Sequence, residues 1–176
     1  EYYSKCEFDR FVKKKIMACS CNIHVQTGYF LFAREYLKQA REHKVKSGNM
    51  IFIGSTAGLI GEAGHADYAA SKGSLNALVL TLKNEIVKYI PHGRVNLVAP
   101  GWTVTPMAAE TVNDKNKMAR VYQTIPLKKV ATTDDVANAV MFMASDTFSG
   151  HVSGQTLTIA GGMEGRVLYT KEEAMQ

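Results

Sequence analysis

No run of 18 or more apolar residues occurs in the chain, so no segment reads as a membrane-spanning helix. The first residues, Glu1-Tyr2-Tyr3-Ser4-Lys5-Cys6, lack the pattern of a secretory signal. Cysteine is scarce: Cys6, Cys19 and Cys21 are the only three, all within the first 21 residues. An odd count in so short a stretch does not build a disulfide framework, and a reduced cytoplasmic protein is expected. Cys19-x-Cys21 with His24 invites a zinc reading. No second paired cluster follows, and one-residue spacing is not finger geometry, so no metal is expected. Excess charge is also missing from most of the chain. Residues 51–176 hold 11 Lys+Arg against 11 Asp+Glu, so the net +5 comes from residues 1–50 and is densest at Lys13-Lys14-Lys15. Basic charge confined there reads as solvated surface, and no nucleic-acid partner is expected.

What is present is a chain of 176 residues, 46% hydrophobic, enough for a sizeable core in one domain. Its most informative stretch runs from Ile51 to Lys72, IFIGSTAGLIGEAGHADYAASK. Met50-Ile51-Phe52-Ile53, closed by Gly54, predicts a buried strand with Ser55 just past its C-terminal end. Gly54, Gly58, Gly61 and Gly64 then punctuate a turn-rich segment. Tyr68-Ala69-Ala70-Ser71-Lys72 opens a helix, and Tyr68 and Lys72, four apart, share one of its faces. A tyrosine hydroxyl ordinarily titrates near about 10, and a neighbouring ammonium favours its phenolate. A serine hydroxyl brought close would hydrogen-bond a carbonyl oxygen as negative charge develops there, and Tyr68 would pass that oxygen a proton. Ser55, Tyr68 and Lys72 therefore suit the interconversion of a carbonyl and an alcohol. Taken alone, Tyr and Lys at this spacing are common on ordinary helices; the surrounding residues carry the weight.

Residues 1–24 show no clear period. From Val25 to His43, Tyr29, Phe30, Phe32, Ala33, Tyr36, Leu37 and Ala40 form an apolar face at helical spacing, read as core or oligomer interface. Lys44 to Asn49 reads as a polar loop with Ser47-Gly48-Asn49 as its turn. The helix opening near Ala66 is predicted to reach about Tyr89 on Leu75, Leu78, Val79, Leu82 and Ile86. Its small residues, Gly73 among them, permit close packing on a neighbouring helix. Arg94 to Ala99 reads as a second buried strand, broken by Pro100-Gly101. Two successive strand–helix units argue for a parallel α/β sheet, where ligands bind beyond the carboxyl ends of the strands. Ser55 and Gly101 both fall at that edge. Met107 to Ile125 is mixed and polar; Trp102, Met107, Met118 and Tyr122 are candidates for substrate contact or for core. Thr132-Thr133-Asp134-Asp135 reads as a helix start, Gln155 to Ala160 as a last strand, and Gly165 to Gln176 as a loose polar tail.

Ser55 precedes Tyr68 by thirteen residues. The flanks read strand-Gly-Ser before, Tyr-Ala-Ala-Ser-Lys-Gly within, and Val95-Asn96-Leu97-Val98-Ala99-Pro100-Gly101 after. This pattern resembles the short-chain dehydrogenase/reductase family, ketoacyl-reductase-like members in particular, over roughly residues 25 to 163. The resemblance implies a Rossmann-like doubly wound parallel sheet. Residues 1–24 would be an uncertain segment, 25–163 the catalytic part and 164–176 a tail. It further implies hydride transfer with NAD or NADP. Tyr68 would be the acid/base, Lys72 would lower its pKa and bind the nicotinamide ribose, and Ser55 would orient the carbonyl. Pro100, Gly101, Thr103 and Thr105 would surround the nicotinamide, with Gly101 giving the backbone a close approach to it, and Met107 to Ile125 would form a lid. A homodimer or homotetramer acting on a small-molecule carbonyl or alcohol is implied.

The sheet is expected to be N-terminally incomplete. The chain has no Gly-x-x-x-Gly-x-Gly turn to hold a pyrophosphate at a helix N-terminus, and no Asn-Asn-Ala-Gly segment. Where the family has an asparagine that holds a water on the lysine, aligning Thr27-Gly28-Tyr29-Phe30 places Val25; Asn22 lies three residues earlier. The alternative reading is a non-catalytic truncated member that keeps helices 25–43 and 66–90 as an interaction or oligomerisation subunit. The residue that separates NAD from NADP follows a strand absent from this sequence, so both cofactors stay open.

Overall fold

Alternation along two strands decides the architecture. A computed structural model describes residues 26–175; Asn22, Val25, His24, the cysteines and Lys13-Lys14-Lys15 lie outside them. In chain order the elements are α1 (26–42), β1 (Ser47–Ile53), α2 (Ala57–Ile60), α3 (Ala66–Glu85), β2 (His92–Pro100), α4 (Ala109–Val112), α5 (Lys115–Tyr122), α6 (Thr133–Ala144), α7 (Asp146–Ser149), β3 (Thr156–Ile159) and α8 (Lys171–Ala174). The strands form one parallel sheet in the order β1-β2-β3, with Met50 opposite Val95, Phe52 opposite Leu97 and Val98 opposite Leu157. Successive strand residues point to opposite faces. Met50, Phe52, Val95 and Leu97 therefore share one layer with Ala33 and Ala40 of α1 and Leu75, Leu78, Val79 and Leu82 of α3. Ile51, Val98, Leu157 and Ile159 turn the other way and meet Val136, Ala139, Val140 and Met143 of α6. Helices thus cover both faces of a parallel sheet, the doubly wound α/β arrangement expected from the sequence. Among the described residues, β1 has a strand on one edge only.

Two expectations change, and a third is refined. β1 begins at Ser47, so Ser47-Gly48-Asn49 is strand and not turn. Its partner supplies the reason: Ser47 pairs with His92, Gly48 with Gly93 and Asn49 with Arg94, and parallel pairing overrides local turn preference. Gly48 also lets Tyr36 lie close to the strand: a Cβ there would lie 2.5 Å from Tyr36 Oη, and that side chain would have to move. Phe30 and Phe32 of the aromatic stripe are 57% and 65% exposed, while Tyr29, Tyr36 and Leu37 pack on the core. The tail is fastened: Leu168 N donates to Gln123 O at 2.7 Å, Gln123 Nε2 to Tyr169 O at 3.0 Å, and α8 opens with a Thr170–Glu173 capping box. No helix of the described residues is long and apolar enough to cross a membrane. The described residues also contain no group of three His, Cys, Asp or Glu able to hold a metal.

Candidate active site

Two glycines bring the site together. Gly58 on α2 and Gly73 on α3 put their backbones in contact: a Cβ on Gly58 would lie 2.6 Å from the Lys72 carbonyl carbon, and one on Gly73 3.2 Å from Gly58 O. Only glycine admits so close an approach. The turn after β1 is thereby pressed against the helix that carries Tyr68 and Lys72. Ser55 stands in that turn, where Gly54 N donates to Val98 O at 2.8 Å and Thr56 N to Pro100 O at 2.9 Å. Its hydroxyl accepts a hydrogen bond from Ala57 N at 3.2 Å. That bond uses a lone pair and leaves the hydroxyl proton to donate.

Tyr68 lies in the first turn of α3, and its carbonyl accepts from Ser71 Oγ at 2.8 Å. Lys72 Nζ sits 6.0 Å from the Tyr68 ring centroid. It donates to Ile53 O at 3.1 Å and to Tyr29 Oη at 3.5 Å. Ser55, Tyr68 and Lys72 are all half-buried.

A cavity of about 570 Å³ opens beyond the carboxyl ends of β1 and β2. Ser55, Tyr68, Gly101, Thr103 and Thr105 all line it, as does Trp102. Lys72 and Pro100 are not in its wall. Lys72 lies beside Tyr68, and Pro100 ends β2, its carbonyl taken by Thr56 N. Thr103 Oγ1 donates to Gly101 O at 3.1 Å, and its segment is tied to Ala131 by backbone bonds on either side. Gly101 is required by a neighbour within the fold: a Cβ there would lie 2.9 Å from the Ala160 Cβ. Of the other residues considered for substrate, Met118 is buried in the core and Tyr122 is outside the cavity wall. Ala108, Thr111 and Thr124 supply the wall from the segment expected to be a lid. Beside them, Lys117 donates to Glu110 and holds that carboxyl below its usual range.

Sequence reading missed Glu62 and His65, which face each other in the wall with His65 Nδ1 3.6 Å from Glu62 Oε1. Their i,i+3 spacing just ahead of Tyr68 was the available signal. Met163 and Gly165 also reach the wall, and nothing in their local sequence announces it. Tyr29 was read as core or interface, yet its hydroxyl meets Lys72.

The family described as Enoyl-(Acyl carrier protein) reductase matches residues 12–164 of the chain. A 3-oxoacyl-(acyl-carrier-protein) reductase of Rickettsia felis is 38% identical over 135 residues, covering 76% of this chain and 53% of the relative. A glucose 1-dehydrogenase of Gluconobacter oxydans is 35% identical over 138 residues, covering 78% and 50%. Among solved structures, 4-hydroxyisoleucine dehydrogenase complexed with NADH superimposes with a TM-score of 0.73 at 28% identity, over 80% of this chain and 56% of that one. A 3-oxoacyl-(acyl-carrier protein) reductase from Brucella melitensis gives 0.61 at 29% identity, over 68% and 43%. The chain spans about half the length of the relatives it matches.

Proposed function

The chain belongs to the short-chain dehydrogenase/reductase family, and we propose that it interconverts a carbonyl and an alcohol by hydride transfer with NAD or NADP. One observation carries this reading: the hydroxyl-bearing residues Ser55, Tyr68, Thr103 and Thr105 line one cavity at the carboxyl edge of the sheet. The residues present fit the nicotinamide-riboside end of such a cofactor. Its hydrogen-bonding groups are the carboxamide and the ribose hydroxyls, and the wall offers hydroxyls with an ammonium beside it. When bound, the nicotinamide supplies or accepts the hydride.

The chain's own residues do the rest. Ser55 donates its hydroxyl proton to the substrate oxygen and orients it. Tyr68 Oη gives or takes the proton at that same oxygen. Lys72 sets its ammonium beside Tyr68 and binds the nicotinamide ribose through its remaining proton. Thr103 and Thr105 hold the carboxamide, on a turn shaped by Pro100 and Gly101. The substrate is a small-molecule carbonyl or alcohol, and the exposed Phe30 and Phe32 on α1 support a homodimer or homotetramer.

The second reading, a non-catalytic interaction subunit, is favoured by the lack of a glycine-rich phosphate turn in the sequence. Titrating the 176-residue chain with NADH and NADPH, followed by nucleotide fluorescence, separates the two. Saturable binding is expected, together with turnover that Tyr68→Phe lowers by about a hundredfold or more. A folded chain that binds neither nucleotide belongs to the second reading, and full activity in Tyr68→Phe removes the proposed chemistry.

A further inference from the structure

The Lys72 ammonium is held by an element outside the serine-tyrosine-lysine set. Nζ donates to Ile53 O at 3.1 Å and to Tyr29 Oη at 3.5 Å, while Tyr29 Oη itself donates to Ile53 O at 3.4 Å. The three groups come from α3, the last residue of β1, and α1, and each touches the other two. The Tyr29 ring is fixed in turn: it stands edge-on to Phe52 at 5.7 Å, and Phe52 is buried. Lys72 Nζ lies 5.7 Å from the Tyr29 ring centroid and 6.0 Å from that of Tyr68, within cation–π reach of both rings. A lysine side chain has a flexible four-carbon stem and loses much rotamer freedom when it is held in one place. A carbonyl alone fixes one of its three protons; a hydroxyl set beside that carbonyl takes a second.

We infer that Tyr29 is a positioning residue of this site, its hydroxyl keeping the Lys72 ammonium beside Tyr68. What the ammonium then does rests on the dehydrogenase reading; the anchoring itself does not. Tyr29 also makes the site depend on α1 being docked, although α1 contributes nothing to the cavity wall.

Ammonium-selective ¹H–¹⁵N NMR on the full chain, without nucleotide, tests the anchor. Lys72→Arg identifies the Lys72 signal. Tyr29→Phe keeps the ring on Phe52 and removes one oxygen. The wild-type chain is expected to show a protected Lys72 ammonium with an NOE from Lys72 side-chain protons to the Tyr29 ring. In Tyr29→Phe that signal shifts or broadens while other lysine signals stay. NADH affinity is expected to fall about three- to tenfold in Tyr29→Phe, but not when the same change is made in Lys72→Met. A Lys72 signal unchanged in folded Tyr29→Phe, or no NOE in the wild-type chain, overturns the positioning role. A wild-type chain that binds no nucleotide defeats the enzymatic reading, and the NMR result still decides the role of Tyr29.

Discussion

Arg94 Nη2 lies 2.7 Å from Asp146 Oδ1, with the arginine side chain 5% exposed and the aspartate 66% exposed. The pair joins β2 to the start of α7, and Ser47 Oγ adds a second donor to Asp146 at 3.0 Å. These hydrogen bonds, that from Arg94 first, hold the Asp146 carboxyl below its usual range. A carboxyl with a lowered folded-state pKa contributes stability at pH above its ordinary value of 3.8, and loses it as pH falls through the folded value. Asp146→Asn is therefore expected to lower the melting temperature at neutral pH, with the deficit closing as the wild type is acidified below its lowered pKa. Thermal melts across that range give the check. A deficit that stays constant into acid would mean that the charge contributes nothing.

The other half of the pair has a larger task. Arg94 Nη1 donates to Met143 O at 3.0 Å, Ser149 O at 2.9 Å and Ser149 Oγ at 3.2 Å, and Nη2 also reaches Ala144 O at 3.4 Å. It gathers carbonyls at the C-terminal ends of α6 and α7, which lack partners within their own helices. Arg94→Met fills much of the space and supplies no donor. A loss of about 3 kcal/mol in urea unfolding is expected. A loss below about 0.5 kcal/mol would show that the carbonyls' other donors, Asn49 Nδ2 on Met143 O and Val152 N on Ser149 O, suffice.

Gly58→Ala should couple stability to the site. Its new Cβ would lie 2.6 Å from the Lys72 carbonyl carbon, 2.7 Å from Gly73 N and 2.9 Å from Lys72 Cβ. The first two contacts are backbone, so α2 and α3 must separate. The expected cost is about 1–3 kcal/mol, with weaker NADH binding because Lys72 shifts with its helix. Gly28→Ala serves as the control, since a Cβ there meets nothing within 4 Å. Equal melting temperatures for the two variants would contradict the backbone contact.

Much of this was readable in the sequence, for identifiable reasons. The apolar period of α3 and the capping residues of α6 are local signals, and Thr132 does cap through a box with Asp135. Ser55 and Tyr68 were legible through their spacing, Thr103 and Thr105 only through the family resemblance, and the four line one cavity. What escaped depends on long-range neighbours. Ser47-Gly48-Asn49 has turn composition and becomes strand because β2 lies alongside. Asn96 was one letter of a motif, yet it is fully buried, donating to Val152 O at 2.8 Å and accepting from Gln155 N at 3.0 Å, which pins the chain leading into β3. Tyr29 was one aromatic in a stripe of four, and only the packing of α1 on β1 singles it out.

Asn96 yields a prediction of its own. Asn96→Leu keeps the branching of the side chain but leaves Gln155 N without a partner and Val152 O with only the longer bond from Arg94 Nη1, 3.4 Å away. The expected loss is about 2–4 kcal/mol, and amide exchange should accelerate first at residues 155–159, before α3. Exchange that rises evenly across the sheet would show that β3 does not depend on this side chain.

Ser55 has two tasks that can be measured apart. Its oxygen accepts from Ala57 N and so fastens the turn into α2, while its proton remains to donate. Ser55→Ala removes both, and Ser55→Thr keeps both at the cost of one methyl group. The turn bond is a single, part-exposed contact, so Ser55→Ala should cost stability by only about 1 kcal/mol. Loss of an oriented donor to the substrate oxygen should lower kcat by about a hundredfold, with nucleotide Kd unchanged because the cofactor reading assigns it to other residues. Ser55→Thr should recover most of kcat. A Ser55→Ala chain with lowered stability and undiminished kcat would confine the hydroxyl to the turn. The substrate oxygen would then have to be oriented from elsewhere in the wall, where Thr56 is the nearest other side chain in sequence able to donate.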